Sequence, residues 1–373
     1  MNGNHATPHE TRRYATIDRS LTRSPWRIET PLRALERLGN DLTILDASVT
    51  PDELPDVDIL VIHNPSSQAE VDLIRGARER GIAVIIDVDD LLRPGLLPAQ
   101  AKFNRYWAPD RFRREAEAKV RAVLADQSIV DAAPRNDALT HLEHAIQAAN
   151  ALTVATLELA QAYADLTPSI YVLPNCYDDA NPLWDVALPE RETINIGFLG
   201  TEHHGPNLDL LAGAIEPVLD RFSHVRVIEA GQGGLLSRID APAERLIQIG
   251  WLPFSVFPLV LHQMDIVLAP LVDEPFMRAK SNIRCMTAGL VGAPVVASPV
   301  GPYAGYVEHG RNGFFATTPS EWTEHLTTLV ADPVLRREIG ESNRDCARRY
   351  AISANIDRWR AVHDAVLDRH RCA

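Results

Sequence analysis

Two blocks of alternating strand and helix signals, separated by a proline- and aspartate-rich stretch, predict an α/β protein with two parallel-sheet domains. Length agrees: 373 residues exceed the range of about 250–300 at which a single core stops growing. The third observation is the unit from Asp58 to Asp90, where two short apolar runs flank an amphipathic segment, the pattern of a βαβ crossover.

In chain order, SPWRIETPLRALERLG leads into a helix beginning near Thr30 and Pro31. DILVIHNP (Asp58–Pro65) reads as a buried strand, EVDLIRGARERG (Glu70–Gly81) as an amphipathic helix closed by glycine, and IAVIIDVDD (Ile82–Asp90) as the next strand. Residues Phe103–Leu124 carry charged helical periodicity and Asp126–Asp137 reads as a loop. Helix His141–Ala149, strand ALTVAT, helix Leu157–Ala164 and strand SIYVLPN complete the first block. The stretch Pro174–Glu192 is the expected boundary, giving domains 1–179 and 180–350 and a terminal segment 351–373.

The second block opens with strand INIGFLG (Ile194–Gly200), then helix Leu208–Arg221, strands VRVIEAG and LIQIGWL, and helix Val256–Gln263. Ile266–Pro270 is too short for a helix and ends in proline, so it reads as a strand buried on both faces. The loop Val272–Ala279 brings Asp273, Glu274, Arg278 and, just beyond it, Lys280 to the carboxyl end of that strand, where open α/β sheets bind ligands. Ser281 or Asn282 can cap the following helix, whose free N–H groups and positive dipole end favour an anion. Gly289 and Gly292 loosen its end before PVVAS re-enters the sheet. GPYAGYVEHGRNGFF supplies a glycine-punctuated loop and a short strand, and the helices that follow break at Pro333. From Ser353 to His370, Ile356, Trp359, Val362, Val366 and Leu367 line one helical face.

Composition bounds the function. Apolar residues at 46% and charged ones at 23% are ordinary for a globular protein, with disorder expected only over the first ~12 residues. No apolar run approaches the ~20 residues of a membrane span, and MNGNHATPHETRR lacks the apolar core of a signal peptide, so a soluble, cytoplasmic protein is expected. Cys176, Cys285, Cys346 and Cys372 form no CxxC pair, against a zinc site or a disulfide framework. A net charge of −13 weighs against a nucleic-acid partner, although a local cluster such as Arg111, Arg113 and Arg114 remains compatible with one.

The run APLVDEPFMRAKSNIR…GLVGAPVVASPVGPYAGYVEHGRNGFF resembles the donor-binding region of GT-B glycosyltransferases, in particular the retaining family 4-like group (glycosyl transferases group 1). FLGTEHHGPNLDLL is similar to the glycine-ended first strand and loop of their C-terminal domain, TVATLELAQAY…IYVLPNCYD to their interdomain approach, and IIDVDDLL to an Asp-rich turn of their N-terminal domain. Roughly Trp26 to Tyr350 fits in order. The resemblance implies two Rossmann-like domains facing a cleft, an acceptor-side N-terminal domain, a nucleotide-sugar-binding C-terminal domain, and a last helix crossing back to the first domain. It implies transfer of a sugar, with retention, from a nucleotide-diphosphate sugar to an acceptor hydroxyl on a glycan, a small molecule or a modified nucleobase.

On this resemblance Arg278 or Lys280 meets the diphosphate, with backbone N–H groups near Ser281, Asn282 and Ile283 adding partial positive charge. A solvated helix-start lysine is the plainer account of Lys280. Glu274 matches the first acid of the family's paired-glutamate pattern and would meet sugar hydroxyls, while the second acid, which holds the ribose, is replaced by Thr287. Gly200 and Thr201 allow close approach of a phosphate, and His204, next to His203, stands where the family often has a histidine; neutral surface-loop histidines are the alternative. On the acceptor side, Arg27 either holds an acceptor or diphosphate oxygen or stacks on Trp26, and His63 is either an acceptor contact or a satisfied buried histidine. Asp87, Asp89 and Asp90 have oxygen ligands suited to Mg2+ or Mn2+, but the resemblance implies no metal and no other cofactor, leaving Asp89 or Asp90 to cap the next segment or touch the acceptor. The Thr287 departure keeps open a non-catalytic nucleotide-sugar binding protein, and a GT-B nucleotide-sugar epimerase is a third reading.

Overall fold

The computed structural model describes residues 11–97, 123, 137–186, 191–200, 205–250 and 252–372, with the backbone alone for residues 21–23. Their strands form two six-stranded sheets, both wholly parallel. The first contains β1 (Arg13–Ile17), β2 (Asp41–Leu45), β3 (Ile59–His63), β4 (Ala83–Val88), β5 (Ala151–Val154) and β6 (Ile170–Val172), in the order β2-β1-β3-β4-β5-β6. The second contains β7 (Ile194–Gly200), β8 (Val225–Gly231), β9 (Leu246–Ile249), β10 (Ile266–Ala269), β11 (Val295–Ala297) and β12 (Gly313–Phe315), in the order β12-β11-β10-β7-β8-β9. This is the GT-B arrangement of parallel sheets with helices. Central strands β3, β4 and β10 are buried at every position, which is why they read as unbroken apolar runs.

The chain divides into two compact units: the first holds residues up to Asp89, 137–178 and the segment from Ile352 onward, the second 179–351 with the segment that starts at Asp90. In the first unit the helix Gln68–Glu79 starts in a capping box. Glu70 N donates to Ser67 Oγ at 3.3 Å and Ser67 N donates to Glu70 Oε2 at 3.1 Å. The helix Ile352–Cys372 belongs to the same unit and buries Trp359, Val366 and Leu367. Val366 and Leu367 pack with Tyr14, Ile28 and Leu32, and Trp359 with Ala34 and Leu173. In the second unit the helices Pro319–Ala331 and Pro333–Arg348 meet at Asp332, whose side chain accepts from Val334 N and Leu335 N, both at 3.0 Å.

Three local expectations are corrected. β1 and β2, RYATI and DLTIL, carry charged residues at their outer ends and were not anticipated as strands. The single helix expected over Leu208–Arg221 is broken: a helical turn Gly205–Leu208 runs into a tighter turn at Asp209–Leu211, and the helix Glu216–Arg221 starts only after Gly213, whose φ is +70°. The loop after β10 contains a helical turn, Pro275–Arg278. Apart from Val123, the helix expected over 103–124, with the cluster Arg111, Arg113 and Arg114, lies outside the described residues. Among the described residues no helix is long and apolar enough to cross a membrane, and the four cysteines are free thiols, all buried but Cys372.

Candidate functional site

Strand order locates the places where such sheets bind ligands. In the second sheet the chain runs outward from β7 to β8 and β9, then crosses to β10 and runs outward the other way, so the strand order reverses between β7 and β10. The crevice beyond the carboxyl ends of these two strands is the switch point. In the first sheet the reversal falls between β1 and β3, and β3 ends at His63.

At the second switch point close packing requires glycine at two strand ends. A Cβ on Gly200 would strike the Phe198 ring, and one on Gly231, at φ +97°, would strike the Gly200 carbonyl. Gln232 N donates to Gly200 O at 2.9 Å. The fully buried Glu229 holds the loop that follows, accepting from Gly234 N at 2.5 Å and Leu236 N at 3.0 Å. Across the crevice, Val272 N donates to the buried Asn207 Oδ1 at 2.8 Å and Leu271 N to the buried Ser298 Oγ at 3.0 Å, so the turn after β10 is anchored at two points. Gly301, at φ +53°, lies against the backbone of Arg278, where no side chain fits.

The expected donor residues gather on this frame. Glu274 is exposed at the N-cap position of Pro275–Arg278. Arg278 pairs with Asp273, both side chains more than half exposed. Lys280 Nζ lies 2.5 Å from Asp90 Oδ1 and 4.6 Å from the centre of the Phe276 ring. Ser281, Asn282 and Ile283 lie half-buried at the start of the helix Ile283–Leu290. The expected cap is corrected: Asn282 holds the N-cap position without a side-chain cap bond, because its amide donates to Tyr350 Oη at 2.5 Å. Thr287 is buried and its hydroxyl donates to Arg284 O at 3.1 Å, a bond back into its own helix. Thr201 and His204, like His203, lie outside the described residues.

Sequence reasoning passed over two residues here. Asn207 gave no signal beyond its place in a polar loop. Arg284 is buried, its guanidinium carbon 5.1 Å from the centre of the Phe198 ring and its Nη1 3.4 Å from Tyr303 Oη, a phenol pushed up to about 12 by burial.

The first switch point is built differently. His63, Asp87 and Thr153 stand side by side in register on β3, β4 and β5. Asp87 is fully buried and accepts from Arg27 Nε at 2.9 Å, Arg27 Nη2 at 2.5 Å and Thr153 Oγ1 at 2.6 Å, with His63 Nδ1 at 3.1 Å. Burial opposes its charge, yet Arg27 and His63 hold the carboxyl well below the usual range. Arg27 also donates from Nη1 to Leu173 O at 2.6 Å, and its guanidinium lies 5.6 Å from the centre of the Trp359 ring, within the interior of the first unit. Burial disfavours the His63 cation, but the Asp89 charge and the Asp87 hydrogen bond outweigh it and raise its pKa above the ordinary value. Asp89 Oδ1 lies 3.5 Å from His63 Nε2, while Asp90, counted with the second unit, pairs with Lys280.

Residues 193–332, which include the whole second switch point, match the family model of glycosyl transferases group 1. Over 195 residues the chain is 26% identical to D-inositol 3-phosphate glycosyltransferase of Corynebacterium jeikeium (strain K411), a match covering 48% of this chain and 45% of that protein, less than half of its length. Solved structures sharing the fold include Anabaena Alr3699/HepE in complex with UDP-glucose (TM-score 0.60, 13% identity, 97% of this chain and 100% of that one). Sucrose-phosphate synthase from Thermosynechococcus elongatus is equally similar (TM-score 0.60, 11% identity, 96% and 99%). The chain thus has the GT-B fold, and its residues 193–332, through β7 to β12, match glycosyl transferases group 1.

Proposed function

We propose that this chain is a glycosyltransferase that moves a sugar from a nucleotide-diphosphate sugar to an acceptor hydroxyl with retention at the anomeric carbon. The second unit takes the donor and the first the acceptor. The observation that carries the reading is the second switch point, where glycine-ended strands, a helix start without a side-chain cap and the cations Arg278 and Lys280 gather inside the segment that matches the family. HepE is a structural relative in complex with UDP-glucose, which favours UDP as the nucleotide.

As the glycosidic bond to the donor opens, negative charge develops on the diphosphate and must be met by donors already in place. Lys280 supplies a point charge and Arg278 a planar fork, and each would exchange its present carboxylate, Asp90 or Asp273, for phosphate oxygens. N–H groups at the start of Ile283–Leu290 add partial positive charge. Glu274 accepts hydroxyl protons of the sugar, and Thr287, its own proton given to Arg284 O, has only acceptor capacity left for the ribose. Retention follows from front-face attack in which a donor phosphate oxygen takes the acceptor proton, with no protein nucleophile. No metal is required in this scheme, and a nucleotide-sugar donor would place the reaction in the cytoplasm.

The buried Thr287, its hydroxyl proton already engaged, favours one rival, a protein that binds nucleotide sugars without transferring them. Calorimetry with UDP-, GDP-, ADP- and dTDP-glucose, followed by assay of nucleoside diphosphate release with inositol phosphates and simple sugars, separates the two. Binding with acceptor-dependent release and a retained anomer is expected; binding without release favours the rival, and no binding overturns both. A glycosylated Asp or Glu trapped by intact-protein mass spectrometry would overturn front-face attack.

A further inference from the structure

β12 is the outer strand of the second sheet and has a neighbour, β11, on one side only. Ala316 N donates to Ala297 O at 2.9 Å, so Phe315, one residue earlier, turns its N–H away from β11. On that open side the turn after the helix Pro302–Tyr306 is folded against the strand. Gly310 N donates to Gly313 O at 2.8 Å, and Phe315 N donates to His309 Nδ1 at 3.0 Å. The turn itself is fixed from inside, where the fully buried Asn312 accepts from Glu308 N at 2.7 Å and donates to Tyr306 O at 3.1 Å. His309 therefore covers an outward N–H that a sheet edge otherwise offers to another chain.

Four rings gather at this point. His309 lies 5.4 Å from Phe314 and 5.4 Å from His325, both edge-on, and stacks on Phe315 at 6.2 Å. The half-buried His325, on the helix Pro319–Ala331, stacks on Phe314 at 4.6 Å. An imidazole nitrogen accepts only when it carries no proton, so the bond from Phe315 N requires a neutral His309 protonated at Nε2. Covering Phe315 and binding a proton at Nδ1 compete for one lone pair. The charged neighbours are engaged elsewhere: Glu308 pairs with Arg311 on the turn, and Glu321 accepts from Thr317 N at 2.7 Å and Thr318 N at 3.0 Å. Burial, then the charge of His309, lowers the pKa of His325, against the pull of Glu324, the Phe315 backbone and Glu321. One proton on this pair of rings thus opposes a second.

We infer that the turn 308–312 is a proton-operated latch on the outer strand of the second sheet, closed over Phe315 while His309 is neutral and released when His309 Nδ1 takes a proton. Protonated, Nδ1 meets the Phe315 N–H donor to donor, and the bond is lost. Release uncovers the free side of β12, with the half-buried Phe314 and Phe315 rings, as a template for pairing with another strand. The latch needs no nucleotide sugar to operate and is a property of the fold beyond sugar transfer.

The test uses the full chain labelled with 15N, its 13 histidines titrated by NMR and His309 assigned by the loss of its signals in His309→Gln. Hydrogen exchange of the Phe315 amide is followed on the same sample, as protection corrected for the intrinsic pH dependence of exchange. In the wild type, Phe315 protection falls about fivefold or more over the pH interval in which His309 titrates, the size expected for one lost hydrogen bond. Ala316, bonded to β11, keeps its protection over that interval. In His309→Gln, an exposed position where the new side chain does not titrate, Phe315 protection no longer follows pH. Wild-type protection of Phe315 that stays constant while His309 titrates overturns the latch. So does a fall shared equally by Ala316, which would be loss of the whole strand, or a pH dependence that His309→Gln retains.

Discussion

At the carboxyl edge of the first sheet the Arg27–Asp87 pair is buried; at the corresponding edge of the second the Arg278–Asp273 pair stands in solvent. Arg27 and Asp87 expose 1% and 0% of their side chains, Arg278 and Asp273 51% and 66%. The same strand-order reversal thus supports two kinds of polar site. One has its charges engaged with one another in the interior of the first unit. The other leaves both partners of its Arg278–Asp273 pair more than half exposed. Burial makes the first hard to disturb and easy to keep in register; exposure reverses both.

Five changes would sharpen or break this contrast. Asp87→Ala should have the largest effect, about 3–5 kcal/mol of stability, because it strands the buried Arg27 charge; a urea unfolding curve measures it. A loss near that of a surface substitution would remove the distinction.

Acid should act next. His363 is buried between Tyr14 and Trp359 with both ring nitrogens unpartnered, and burial pushes its pKa down to about 4 against the weaker pull of Asp364 and Asp87. The unfolded chain therefore binds the extra proton first. Stability is full above about pH 6.5 and falls by the order of 3 kcal/mol as pH drops from there to about 4. His63 has the opposite sign, since its raised pKa adds stability below its ordinary value that is lost as pH rises through the folded value. Comparing wild type with His363→Phe across pH isolates the His363 share, and an unchanged acid slope in the variant would refute it.

In the second unit, Lys280→Ala should lower nucleoside diphosphate release from UDP-glucose about 100-fold or more, worth ~2.7 kcal/mol, while the unfolding midpoint stays near that of the wild type. Normal turnover at saturating donor would take Lys280 out of the site. Gly301→Ala should cost about 1–3 kcal/mol and weaken UDP-glucose binding, because the new Cβ presses on the Arg278 backbone. Asp273→Asn should change stability by less than about 0.5 kcal/mol, the value expected of an exposed pair. A larger loss in thermal melts would mean that the charges of the second edge, like those of the first, hold the fold together.

Much of the fold was legible because central parallel strands are apolar without interruption. INIGFLG coincides with β7, and Ile266–Pro270 with β10 and the proline after it. β1 and β2 escaped because Arg13 and Asp41 begin short strands of which β2 is an edge, where alternation is blurred by charge. The residues expected on the donor side were named through a local motif whose members are neighbours in sequence. The Arg27–Asp87 pair could not be found so, since its partners stand 60 positions apart. One signal was present: an aspartate inside AVIIDV, a wholly buried strand, demands a cation from elsewhere in the chain.

The place of the helix Ile352–Cys372 has a consequence in time. Arg12 Nε donates to Asp364 Oδ1 at 3.2 Å across 352 positions, and Tyr14 shares a core cluster with Val366 and Leu367. On the ribosome, β1 emerges early, yet the helix that covers it arrives only after every strand of the other unit has been made. The second unit, whose residues 179–351 are continuous in sequence, is free to fold as it emerges, while the first waits with an apolar sheet face uncovered. Nascent-chain exposure, and with it any need for a chaperone, therefore falls on the unit whose polar interior is the more elaborate.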